Sequence, residues 1–197
     1  MTTLFVARHG QTDWNREQRW QGHADPPLNA TGREQAAELG DSFAGRGIDV
    51  VVSSDLRRAA ETAEIAALRL GLTVEVDPRL REVDVGEWSG LTSAEVEARY
   101  PDGYSRRRAG RTGWNHGEDL TAMADRVVAA LIELAARYPG RRVLVVTHGG
   151  PVRAALAACG VDVRAAPGVQ NGDVEEIAIR DGRMRRIPLD SASPRPA

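Results

Sequence analysis

Leu4-Phe5-Val6-Ala7-Arg8-His9-Gly10-Gln11-Thr12 stands near the start of the chain, and Val143-Leu144-Val145-Val146-Thr147-His148-Gly149-Gly150 repeats its plan near the far end. Each begins with a short, continuous, partly β-branched apolar run without polar alternation, which reads as a strand buried on both faces. Each then passes through a histidine into glycine. Both histidines therefore sit where a buried strand ends, and in open α/β sheets that carboxyl edge is where ligands bind. Gly10 and Gly149 let the backbone turn sharply and come close to a ligand. Pro151 suits the first turn of a helix running to about Cys159, whose free N–H groups and positive dipole end favour an anion. Two imidazoles are thus expected in one anion-binding pocket.

The elements between them alternate. A polar loop runs through Asn29, and Thr31-Gly-Arg-Glu34 offers a capping box for a helix to about Ala44. Val50–Val52 reads as a second buried strand, and Ser53-Ser54-Asp55 can cap an alanine-rich helix from Leu56 to about Leu70. A short strand is expected over Thr73–Val76, then an irregular acidic segment from Leu80 to Trp88 and a small helix near Ser93–Tyr100. Pro101–Gly117 shows no clear period. Leu120, Met123, Val127, Leu131, Leu134 and Tyr138 mark one face of a long helix. Val174–Ile179 and Met184–Ile187 around Asp181-Gly182 read as an antiparallel hairpin. Strands alternating with helices imply right-handed βαβ units. The expected fold is α/β, a three-layer α/β/α sandwich with a mostly parallel central sheet, an antiparallel C-terminal edge hairpin and a lid insertion over the carboxyl edge. One domain is expected over 1–187, with the lid at roughly 83–118 and a disordered tail at 188–197.

Composition narrows the function. The 197 residues are 42% hydrophobic and carry a formal net charge of −2 with the two signs interspersed, so no global field favours nucleic acid or an anionic membrane. No apolar stretch approaches the ~20 residues that span a bilayer. The single cysteine, Cys159, cannot form an internal disulfide, and Met1 leads straight into a strand. A cytoplasmic protein without nucleic-acid or membrane partners is expected, as a monomer or homodimer. The four histidines lack metal-ligand spacing, and no metal or cofactor is expected.

Arg58, one turn into the helix after the second strand, projects from the same edge as Arg8, His9 and His148. Two imidazoles and two guanidiniums around one small volume fit a dianionic phosphoryl group. Histidine attack on phosphorus gives a phosphohistidine and divides a difficult displacement into two easier ones. Glu82, where the chain re-enters the edge, is the best-placed donor for the leaving alkoxide and could then deprotonate the attacking water. Such transfer needs positioning and charge rather than a metal. Plainer readings exist for each group: a structural histidine, an ion pair of Glu82 with Arg81 or Arg79, a solvated Arg57 exchanging roles with Arg58. The run Arg106-Arg107-Arg108 with Arg111 reads as a solvated face, or alternatively as a draw for an additional carboxylate or phosphate on the substrate. Trp20, Trp88 and Trp114 either line the pocket mouth or pack structurally, and Trp114 with His116 is the expected substrate contact. His23 is expected in a solvated loop.

These residues together carry a resemblance. Arg8-His9-Gly10-x-Thr12-x-x-Asn15, Ser53-Ser54-Asp55-Leu56-x-Arg58-Ala59-x-x-Thr62-Ala63, Leu80-Arg81-Glu82-x-x-x-Gly86 and Thr147-His148-Gly149-Gly150 are similar, in order and through nearly the whole chain, to the histidine phosphatase superfamily, also called phosphoglycerate mutase-like. The resemblance implies His9 as the phosphorylated nucleophile, Arg8, Arg58 and His148 as holders of the phosphoryl group, and Glu82 as proton donor. It also implies phosphate contacts from Asn15 and Gln21, with Gly22 beside them. Mutases of the superfamily carry an Arg-Arg-Ser-Tyr segment and prolines in the lid, which this chain lacks, and Leu80–Thr92 resembles the small phosphatase branch. Glu118-Asp119 departs from the glycine-glutamate-serine turn of many relatives. The expectation is a metal-independent phosphomonoesterase for a small phosphorylated metabolite, sugar-phosphate or phosphoglycerate-like. A cofactor-dependent mutase and a non-catalytic phospho-ligand binding module are the alternatives.

Overall fold

In the computed structural model, which describes residues 1–166 and 168–188, the first buried run forms strand β1, Thr2–Arg8. It passes into a one-turn helix, α1 (Asp13–Arg16), inside the stretch expected as a polar loop. Helix α2 (Ala30–Phe43) is capped by Asn29, whose side chain accepts from Gly32 N. The Thr31–Glu34 capping box is thus corrected, because Asn29 is the last residue with extended backbone and Thr31 already lies inside the helix. Strand β2 (Val50–Ser53) leads into α3 (Arg57–Leu70). That helix has no cap from the Ser53–Asp55 run on its first N–H; Asp25, from a distant loop, accepts from Arg57 N at 2.6 Å.

Strand β3 (Val74–Val76) precedes helices α4 (Ser93–Arg99) and α5 (Pro101–Arg108). Helix α5 occupies a stretch that the sequence leaves without a period, because it is short and buries only Gly103. Helix α6 (Leu120–Arg137), β4 (Arg142–Thr147) and α7 (Gly149–Ala158) follow, then the hairpin β5 (Val174–Arg180) and β6 (Arg183–Ile187). The tail expected at 188–197 lies, from 189 on, outside the described residues.

The sheet order is β3-β2-β4-β1-β5-β6. The first four strands are parallel and the last two antiparallel. Alternation along the strands feeds two cores. Phe5, Ala7, Val51, Leu144 and Val146 pack against the alanine face of α3 and against Leu39 and Phe43 of α2. Leu4, Val6, Val143 and Val145 pack on the other face against Val127, Leu131 and Leu134 of α6 and Val152 and Leu156 of α7. Trp88, Val96 and Trp114 of the lid join this second core. The three-layer α/β/α architecture is therefore observed, with a mostly parallel sheet and an antiparallel C-terminal hairpin. Among the described residues, no helix is long and apolar enough to cross a membrane.

Register sets the site. Arg8 pairs with Thr147 and Ser53 with Val146, so β1, β4 and β2 end side by side. His9, His148 and Ser54, each one residue beyond its strand, are delivered to one edge.

Candidate active site

The backbone past β1 is held before any side chain acts. His9 N donates to Thr147 O at 2.9 Å and Gly10 N to Thr62 Oγ1 at 3.0 Å. A Cβ on Gly10 would lie 2.3 Å from the Gly32 carbonyl oxygen, so glycine is what lets this turn lie against the start of α2.

The His9 ring is buried. Its Nδ1–H donates to the Gly10 carbonyl at 2.7 Å, since a carbonyl can only accept, and this leaves Nε2 as the nitrogen with the lone pair. Arg58 Nε donates to that Nε2 at 3.2 Å. Burial first, then the charges of Arg58 and Arg8, hold the His9 pKa well below the ordinary imidazole value, against a smaller opposing effect of the Gly10 bond. The imidazole is therefore neutral at pH 7. His148 is also fully buried, with its ring centroid 5.1 Å from that of His9. Burial, then Arg58, lowers its pKa well below the usual value. Its Nε2 shares a hydrogen bond with Ser54 Oγ at 2.9 Å, and its Nδ1 has no partner.

Arg58 is buried and Arg57 exposed, which settles the helix phase. The Arg58 guanidinium donates to Ala24 O at 2.7 Å and Gly22 O at 2.9 Å, and burial lowers its pKa to about 10, so it stays cationic. Arg8 donates through Nη1 to Val169 O at 2.7 Å, and its Nε is buried without a partner. Asn15 Oδ1 is occupied by Thr12 N and Asn171 Nδ2, so the group it can offer is its own Nδ2 amide.

Glu82 has no ion pair with Arg81 or Arg79. Arg81 pairs with Asp55, while Arg79 pairs with Asp77 and Glu133. The Glu82 carboxylate instead accepts from Val83 N at 2.9 Å and from Gly150 N at 3.2 Å. Its backbone is clamped from behind: Arg126 donates to the carbonyls of Arg79, Arg81 and Glu82 at 2.7, 2.8 and 2.9 Å, and is itself gripped by both oxygens of Glu118. His23 Nε2 also donates to Glu82 O at 2.9 Å, so His23 is a partly buried support rather than a solvated loop residue.

A cavity of about 260 Å³ lies over this edge. Arg8, His9, Arg58, Glu82, Asn15, Gln21 and Gly22 all line it. His148, fully buried, and Gly149 are not among the lining residues. The expected contact from Trp114 and His116 is not brought to the cavity. Trp114 is buried edge-on against Trp88 at 5.4 Å and donates to Glu118 O, whereas His116 sits at an exposed turn with φ 53°. Of the three tryptophans, Trp20 lines the cavity. Residues that the sequence did not single out include Arg126, Arg153 and Asn171, while Ser54 and Thr62, quoted there as a cap and in a motif, prove to hold His148 and the Gly10 backbone. Among the described residues, no group of three or more His, Cys, Asp or Glu could hold a metal ion.

Residues 4–187 match the family model for the histidine phosphatase superfamily (branch 1). The chain is 36% identical over 184 residues to phosphoglycerate mutase-like protein 4 of Arabidopsis thaliana, covering 91% of this chain and 80% of that protein. It is 40% identical over 164 residues to glucosyl-3-phosphoglycerate phosphatase of Mycobacterium tuberculosis, covering 79% and 74%. Among solved structures, mycobacterial glucosyl-3-phosphoglycerate phosphatase Rv2419c in complex with VO3 superimposes with a TM-score of 0.83 at 34% identity, covering 94% of this chain and 96% of that one.

Proposed function

We propose, because the chain belongs to the histidine phosphatase superfamily (branch 1), that it is a metal-independent phosphomonoesterase working through a phosphohistidine on a small phosphorylated metabolite. It is a phosphomonoester hydrolase. The observation that carries the reading is a neutral His9 that lines the cavity, its Nδ1–H committed to the Gly10 carbonyl so that the lone pair lies on Nε2, beside the Arg58 guanidinium.

His9 Nε2 attacks phosphorus, and the ester oxygen departs with a proton from Glu82. Water then gives a proton to the Glu82 carboxylate and attacks the phosphohistidine, so that inorganic phosphate leaves and Nε2 is regenerated. Arg8 and Arg58 hold the phosphoryl oxygens, with the Asn15 amide, Gln21 and Gly22 also lining the cavity. A Ser54 hydroxyl donating to His148 Nε2 leaves Nδ1–H as the donor from that ring. Charge spread over the transferring group is met by fixed cations that need no reorganisation. In this reading the enzyme is one domain over 1–187 with a lid at 83–118, acting in the cytoplasm as a monomer or homodimer.

The test is phosphate release from a panel of phosphomonoesters with chelator present, for the wild type and for His9→Ala. Release is expected to persist in chelator and to fall to background in His9→Ala, while Glu82→Gln slows turnover by about 10²- to 10⁴-fold. Conversion of 3-phosphoglycerate to 2-phosphoglycerate without release would instead establish a mutase.

A further inference from the structure

The bond that settles the reactive nitrogen of His9 is only as firm as the carbonyl that receives it. His9 Nδ1–H reaches the oxygen of the next residue, Gly10, at 2.7 Å, so the ring keeps its tautomer while the Gly10 peptide keeps its direction. Two peptide groups make this turn, and each is held at both ends. In the His9–Gly10 peptide, the N–H donates to Thr62 Oγ1 at 3.0 Å and the carbonyl accepts from Asn171 Nδ2 at 2.9 Å. In the Gly10–Gln11 peptide, the N–H donates to Gln35 Oε1 at 2.9 Å and the carbonyl accepts from the His9 ring and, at 3.3 Å, from Asn171 Nδ2 again. Asn171, distant in sequence, is the group common to both.

The same Asn171 nitrogen lies 3.3 Å from Asn15 Oδ1. Two carbonyls and a side-chain oxygen facing one atom identify that atom as the amide nitrogen, because Thr12 N already donates to the Asn15 group and marks it as oxygen. Asn171 is half-buried and is not among the residues lining the cavity, so whatever it does for a substrate it does through His9, Gly10 and Asn15. Its own backbone is anchored. Arg8 N donates to Asp173 O at 2.9 Å and Gly172 N to Arg8 O at 3.1 Å, which carries the pairing of β1 with β5 one step beyond Ala7 and Val174. Arg8 Nη1 holds Val169 O at 2.7 Å, and Gln170 N donates to Asp173 Oδ2 at 2.6 Å. Gly172, with φ 83°, makes the turn between Asn171 and β5.

We propose that Asn171 is a positioning residue for phosphoryl transfer, its amide setting the direction of the Gly10 carbonyl that fixes the His9 tautomer and holding Asn15 Oδ1 so that Asn15 offers its Nδ2 to the phosphoryl group; this rests on the phosphatase reading above. The amide brings two hydrogens to three acceptors and so draws the turn and Asn15 onto one point. Without it the Gly10 carbonyl loses one of its two donors and the His9 carbonyl loses the Asn171 bond. The Gly10–Gln11 peptide can then rotate, and the neutral ring loses its preference for Nδ1–H. A fraction of His9 carries its proton on Nε2 instead, where no lone pair is left to attack phosphorus.

The experiment pairs long-range proton–nitrogen correlation spectra of the histidine rings at neutral pH with kcat on the phosphomonoester panel, the His9 signals being identified by their absence in His9→Ala. The variants are Asn171→Ala and the near-isosteric Asn171→Leu, compared where circular dichroism shows the wild-type fold. The wild type is expected to show His9 with a protonated Nδ1 and an unprotonated Nε2. Each variant is expected to move the two nitrogen shifts toward each other and to lower kcat by about 2- to 10-fold on every ester, the worth of one hydrogen bond. Asn171→Gln, which keeps the amide on a longer stem, should recover part of both. An unchanged His9 tautomer in a folded variant, or averaged nitrogens with wild-type kcat, overturns the positioning role alone. Release from no ester, or release that survives His9→Ala, overturns the phosphatase reading and the role of Asn171 in transfer with it.

Discussion

At His9 a single hydrogen bond, Nδ1–H to the Gly10 carbonyl, decides which nitrogen can react. The same burial that keeps His9 and His148 neutral makes folding depend on pH. In the unfolded chain each binds a proton near 6.5, while in the fold each resists one. The unfolded state therefore takes up protons first as pH falls. The stability contribution is whole above about 6.5 and is lost below it, by roughly 1.4 kcal/mol per pH unit for each histidine. Urea unfolding midpoints from pH 7.5 to 5 should fall less steeply in His148→Gln than in the wild type, and parallel slopes would contradict the assignment. Gly150 makes a second point at this scale. A Cβ there would lie 2.2 Å from Glu82 Oε1, the movable end of a side chain. Gly150→Ala should fold with little loss of stability yet lower kcat, because the carboxylate must leave its place; unchanged kcat would show that this placement is not needed. That Arg8, His9, Arg58 and Glu82 line one cavity was legible from strand ends and spacing, since covalent sequence fixes which residue follows a strand. Trp114 and His116 were not, because side-chain direction in an irregular turn is set by what packs behind it.

The element that governs Glu82 is α6, through Arg126. One guanidinium holds three carbonyls of the Arg79–Glu82 segment and is oriented by the Glu118 carboxylate at the lid's exit. Arg126→Ala should destabilise the protein by about 1.5–3 kcal/mol, the range for a hydrogen bond to a charged group, and should reduce kcat more than it raises KM. Arg126→Lys should recover little, because an ammonium lacks the planar fork that reaches several carbonyls. Full recovery by lysine would reduce the role to charge alone. Sequence periodicity found α6 because its apolar face repeats over eighteen residues, but α5 is too short and polar to leave such a trace. The caps of α2 and α3 were misplaced for a related reason. Asn29 and Asp25 compete with equally capable neighbours, and backbone direction, which only the tertiary fold supplies, decides between them.

The molecule as a whole ties its lid to its sheet. Trp88 is fully buried, stacks edge-on with Trp20 and Trp114 at 5.4 Å each, and belongs to the core that contains Leu4, Val6 and Val145. A lid sharing the sheet's core cannot melt by itself cheaply. Tryptophan fluorescence, which reports largely on this cluster, and far-ultraviolet circular dichroism should give coincident denaturant transitions; an earlier fluorescence transition would make the lid a separate cooperative unit. The alternation of buried strands with helices made the layers and the edge hairpin legible, whereas the lid's shape was not, because its fold is dictated by the core it covers. All of this architecture serves one covalent step, and the most direct measurement is to quench turnover of a labelled phosphomonoester in base, with chelator present, and map the label by peptide. An acid-labile phosphoryl group is expected on His9 and is expected to be absent in His9→Ala. Label on His148 or elsewhere, or undiminished turnover in His9→Ala, would contradict it.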